Sequence, residues 1–131
     1  MAFVIGNAVR VERLLRDQRG HYRAALRYIA DRTAGDAITV ASDHDFRNGV
    51  LVAYFAPRLG IAKRIRYVAR GELSLTGTDW YIVHRLTDGD VPPAIVSDAW
   101  RNRYRFAAHF AATRPSGFHW YVYERLGGVG G

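Results

Sequence analysis

The run Ser42-Asp43-His44-Asp45-Phe46-Arg47 puts a hydroxyl, two carboxylates, an imidazole and a guanidinium on adjacent residues. Carboxylates flanking an imidazole suit a metal ion or the hydroxyls of a sugar, and an arginine suits a phosphate. A catalytic metal centre needs about three converging protein ligands and an open position. The run supplies only a local Asp-His-Asp; a further candidate, His84, lies far along the chain. The plainer role for the same residues is a helix cap. In it Ser42 and Asp45 form a capping box, Asp43 and Asp45 favour the helix N-terminus, and Arg47 pairs with one of them.

These residues need a strand before them and a helix after them. Residues 37–42 are small or apolar on both faces, as in a buried parallel strand. The apolar run Val50–Phe55 predicts a helix from Asp43 to about Ala56, stopped by Pro57 and turned by Gly60, and packed on more than one side. Residues 63–69 alternate and complete a βαβ unit with Ile65 and Tyr67 on one face. In open α/β sheets ligands bind beyond the carboxyl ends of the strands, which is where the run falls. Asp79–His84 predicts a further strand; beside the first one, it would bring His84 to the same edge.

Upstream, Asn7 could cap a helix to about Gln18, a candidate linker helix within residues 1–19. His21–Thr33 carries Tyr22, Ala25, Leu26 and Ile29 at helical spacing, with Gly35 as C-cap. Downstream, Asp88-Gly89-Asp90 is a turn and Val96–Trp100 a helical turn after Pro92-Pro93. The alternating segments Tyr104–Phe110 and Phe118–Tyr123, joined through Pro115-Ser116-Gly117, predict an antiparallel hairpin, and residues 127–131 a flexible tail. The expectation is a single α/β domain over residues 1–131: N-terminal helices, one βαβ unit and a C-terminal antiparallel hairpin in a mixed sheet of about five strands.

With 131 residues, 49% of them hydrophobic, the chain can bury a core without staples. It has no cysteine, which excludes disulfides, thiolate chemistry and Cys-ligated zinc. No apolar run approaches the roughly 18 residues of a membrane span, and Met1–Ile5 is too short for a signal peptide. The formal charge of +7 rests on eighteen arginines and Lys63. The arginines are scattered through every element without a nucleic-acid-binding signature, so nucleic acid is not the expected partner. Arg16, Arg19, Arg23 and Arg27 recur three or four apart, either as an ordinary solvated helix face or as a basic stripe for an anionic lipid surface. His109 and His119 sit among aromatics at strand positions and read as packed or cross-strand histidines; the tryptophans and tyrosines read first as aromatic core, then as a sugar-stacking platform. Glycine fingerprints, P-loops, G-x-S-x-G and H-E-x-x-H are absent, and no cofactor or metal site is expected.

Ile38–Arg47, together with Tyr54, Arg58-Leu59-Gly60, Tyr67, Asp79–His84, Ser116–Trp120 and Tyr123, resembles the soluble tail of multi-pass bacterial membrane proteins related to dolichyl-phosphate-mannose-protein mannosyltransferases. The likeness runs from about Gly20 onward as scattered residues rather than a catalytic motif. It implies an extracytoplasmic, noncatalytic accessory domain at the periplasmic face of the inner membrane. Its implied partners are the membrane portion of the parent protein, an anionic lipid surface, or a sugar or lipid-phosphate-sugar. The catalytic carboxylate of such enzymes would lie in the membrane part, so this chain alone is expected to transfer no sugar. The alternatives are a stand-alone, then cytoplasmic, small metal-dependent hydrolase using Asp43, His44, Asp45 and His84, and a basic nucleic-acid-binding module.

Overall fold

The computed structural model of the chain describes residues 19–73, 77–85, 92–111 and 119–126. The expected helix over residues 7–18, the turns at 88–90 and 115–117 and the tail at 127–131 lie outside the described residues. The described elements are helix α1 (Arg19–Arg32), strand β1 (Ile38–Ser42), helix α2 (Asp45–Arg58), β2 (Ile65–Tyr67), a 3-10 turn (Arg70–Glu72), β3 (Trp80–Arg85), β4 (Ile95–Ser97), β5 (Arg103–Phe110) and β6 (His119–Arg125). The strands form one six-stranded sheet in the order β2-β1-β3-β6-β5-β4. β2, β1 and β3 are parallel, and β3, β6, β5 and β4 antiparallel. The α/β class and mixed sheet are those the sequence predicts.

Helical periodicity in α1 turns Tyr22, Ala25, Leu26, Ile29 and Ala30 into the core and leaves Arg23, Arg27 and Arg32 exposed. Its last turn is tied down by Thr33, whose hydroxyl donates to the Ile29 carbonyl at 2.7 Å and accepts the Trp80 indole N–H at 2.7 Å. α2 packs on α1 and on β1 and β2, burying Leu51, Val52, Phe55 and Ala56. Between the helices the fully buried Asn48 accepts from the Tyr22 hydroxyl at 2.8 Å and donates to the His44 carbonyl at 3.1 Å. The period-2 pleat then divides the sheet. Ile38, Val40, Trp80, Ile82, Trp120 and Val122 share a core with the helices, while Tyr121 and Tyr123 join Tyr104 in a second cluster on the opposite face.

Three expectations are corrected. The helix does not stop at Ala56: Pro57 occupies its last turn. There proline forfeits one terminal hydrogen bond, and the Leu59 N–H closes the turn on the Phe55 and Ala56 carbonyls. The segment near Val96 is not a helical turn but β4, paired antiparallel with Arg103–Arg105 and sealed by Val96 against the tyrosine cluster. This supplies the sixth strand. In β5 the alternation is broken by a bulge between Phe106 and Ala108. The extra residue turns Phe106 to the tyrosine face and Phe110 to the helix face, so both large rings are covered.

Candidate functional site

From β1 the chain crosses through α2 to β2 on one side, and β3 lies on the other side of β1. The carboxyl end of β1 is therefore a topological switch point, where diverging connections leave a crevice. The run Ser42–Arg47 leaves the strand here. A cleft of about 280 Å³ is lined by Ser42, Asp43, His44, Asp45, Phe46 and Arg70. A second, of about 320 Å³, shares Ser42, Asp43 and Arg70 and continues past Leu73 and Tyr81 to Ser97, Asp98 and Ala99.

Parallel pairing sets Ser42 opposite Ile82, so His84 projects just beyond the end of β1. Its Nδ1 lies 2.8 Å from Asp43 Oδ2, with the two side chains 25% and 28% exposed. The His84 backbone N–H points at both Asp43 oxygens, at 3.3 Å. A proton on Nδ1 leaves Nε2 of the neutral ring as an acceptor. The His44 ring packs edge-to-face on His84, with centroids 5.8 Å apart.

The cap is not the one expected from Ser42. His44 is the N-cap of α2, and its Nδ1 accepts the Arg47 N–H at 3.2 Å. Ser42 is drawn elsewhere: its Oγ accepts the His44 N–H at 3.1 Å and contacts the Tyr67 hydroxyl at 2.7 Å. Tyr67 gives its single proton to Asp45 Oδ1 at 2.7 Å, so the Ser42 hydroxyl donates to Tyr67. Asp45 Oδ2 accepts the Arg70 N–H at 3.0 Å, fastening the connection after β2 to the first turn of α2. Asp45 thus sits in the first helical turn, as expected, but its oxygens serve β2 and the following turn rather than a capping box.

Burial pushes the Tyr67 hydroxyl well up; the bond from Ser42 opposes this, and the bond to Asp45 and its charge add to it. Tyr81 is pushed up to about 12, first by burial and then by the charges of Asp43 and Asp98, with Arg70 pulling the other way. Burial draws the Arg47 guanidinium below its ordinary value, while the charge of Asp43 raises it. Arg47 does not line either cleft.

The structure thus gathers Asp43, His44, Asp45 and His84 at one edge. Among the described residues no group of three or more His, Cys, Asp or Glu side chains is arranged to hold a metal ion. The geometry gives the reason: Asp45 turns toward Tyr67 and Arg70, and a His44 nitrogen is taken by the helix cap. Of the basic stripe, Arg23 and Arg27 are exposed on α1, and Arg16 lies outside the described residues. Arg19 opens α1, and its side chain also lies outside them. No described helix is long and apolar enough to cross a membrane.

Sequence reasoning gave no site role to Tyr67, Arg70, Tyr81 and Asp98. Arg70 had a signal, because it follows a parallel strand at its carboxyl end, where ligand contacts gather. Asp98 had none: it is buried and accepts from the backbone N–H groups of Trp100 and Asn102 and from the Tyr104 hydroxyl, partners brought by the β4–β5 pairing. Compared with protein-family models, with curated proteins and with solved structures, the chain matches none.

Proposed function

We propose that the cleft beyond β1 binds a hydroxyl-rich ligand, a sugar or the sugar portion of a lipid-phosphate-sugar, and that the domain is a noncatalytic accessory part of a membrane glycosyltransferase-like protein. The observation that carries the reading is the lining itself. Two carboxylates, each oriented by donors from the protein, stand beside Arg70 and beside Phe46, which is 67% exposed. Oriented carboxylates accept from sugar hydroxyls, an exposed ring stacks on the apolar face of a pyranose, and a guanidinium meets a phosphate. Ser42, the hydroxyl nearest to hand, is engaged by Tyr67 and the His44 N–H rather than by an imidazole nitrogen, which argues for holding over attacking a ligand.

In the parent protein that the resemblance implies, the exposed Arg23 and Arg27 would face anionic headgroups, each contributing about 1 kcal/mol near a charged surface. Backbone amide NMR with sugar phosphates and short-chain lipid-phosphate-sugars tests the site. Shifts confined to Asp43–Arg47 and Arg70, lost in Asp43→Ala, support it; an unperturbed spectrum overturns it. An upstream reading frame encoding apolar spans would support the parent protein.

A second reading rests on the Asp43–His84 pair. A carboxylate that orients an imidazole through Nδ1 leaves Nε2 as a base, the arrangement of a small hydrolase. Turnover of ester or phosphodiester substrates by the isolated domain, abolished in His84→Ala, would favour that enzyme over the binding module.

A further inference from the structure

We propose that His109 and His119 form a two-histidine site for a divalent transition-metal ion, of the zinc or copper class, on the sheet face opposite the helices. The bulge in β5 sets His109 across from Tyr121, which makes His119 its diagonal neighbour on β6. His109 Nε2 and His119 Nδ1 face each other at 3.3 Å. That is longer than a strong N–H···N hydrogen bond. It is the spacing of two nitrogens on one tetrahedral ion: with Zn–N of about 2.0–2.1 Å, two ligands stand about 3.3–3.4 Å apart.

The surroundings hold one ring and leave the other adjustable. His119 is buried, and His109 is exposed while its ring stacks on Tyr121 at 4.4 Å and 13°. Rotation of the exposed His109 ring is the adjustment that would direct both lone pairs onto one ion. In the apo pair one of the two facing nitrogens carries the proton of the N–H···N contact. Metal binding requires each neutral ring to hold its proton on the far nitrogen, so one ring changes tautomer and no net proton is released. Water completes the coordination, as expected for a site with two protein ligands.

This site is separate from the clefts, since neither His109 nor His119 lines them. Titration of the intact chain with zinc chloride at neutral pH is the test. One saturable site is expected, weakened about tenfold or more in His109→Ala and unchanged in His84→Ala. Copper(II) electron paramagnetic resonance should show coupling to two imidazole nitrogens in the wild type and one in His109→Ala, which as an exposed substitution leaves the circular dichroism spectrum intact. Absence of zinc binding, an isotherm unchanged in His109→Ala, or loss of binding in His84→Ala overturns the assignment.

Discussion

His84 Nδ1 lies 2.8 Å from Asp43 Oδ2, which joins the end of β1 to a side chain just beyond the part of β3 paired with β1. Removing Asp43 takes the carboxylate contact from the imidazole and an acceptor from the His84 backbone N–H. Because the pair is partly exposed, Asp43→Ala should destabilise by only about 1–2 kcal/mol. In the wild type, nitrogen-15 NMR should find neutral His84 protonated at Nδ1; predominance of the Nε2 tautomer would contradict the pairing.

The cap of α2 is an imidazole nitrogen. His44→Ala should cost about 1 kcal/mol, and His44→Asn or His44→Asp, which restore an acceptor for the Arg47 N–H, should recover most of it. Ser42→Ala should cost a comparable amount by a different route, because Tyr67 and the His44 N–H lose a partner. Urea denaturation midpoints of the four variants decide. Equal loss in His44→Ala and His44→Asn would remove the capping role.

Tyr22, Tyr67, Tyr81, Tyr104 and Tyr123 are all raised, each first by burial. The unfolded chain releases tyrosine protons near pH 10, whereas the folded chain holds them longer. Above that pH the unfolded state binds fewer protons than the folded one, so stability falls as pH rises. Stability should be insensitive to these groups below about pH 10 and decline as pH rises through the folded values, about 12 for Tyr81. Phenolate absorbance should titrate later in the native than in the denatured protein. Superimposable curves would refute the prediction.

Gly77 precedes β3 with φ +66°, and a Cβ there would come within 2.8 Å of the Asn102 side chain and 3.0 Å of the Tyr104 hydroxyl. Gly77→Ala should therefore destabilise by roughly 2 kcal/mol, combining a left-handed backbone with a clash. It should also disturb the bond that Tyr104 donates to Asp98 and the one it accepts from the Thr78 N–H. A thermal midpoint equal to the wild type would show that the loop relaxes without cost.

The sequence by itself determined the elements that rest on local physics. The 3.6-residue spacing in α1, the apolar run of α2, the two-residue alternation around Ile65 and Tyr67 and the aromatic hairpin of β5 and β6 are each written in neighbouring residues. They were enough for the α/β class, the βαβ unit and the position of Ser42–Arg47 at a strand end.

Tertiary structure decided what depends on partners distant in the chain. Whether Ser42 or His44 caps α2 turned on Tyr67, 25 residues from Ser42, whose hydroxyl competes for the serine and takes Asp45 as its acceptor. His84 reached Asp43 only because β3 chose the free side of β1, and Arg70 reached the cleft only because Asp45 holds its backbone. β4 exists because β5 offers it an edge, a pairing that three residues cannot announce on their own. Periodicity specifies which side of an element is buried; hydrogen-bond competition across the sheet specifies which polar group meets which, and that second step positions the candidate site.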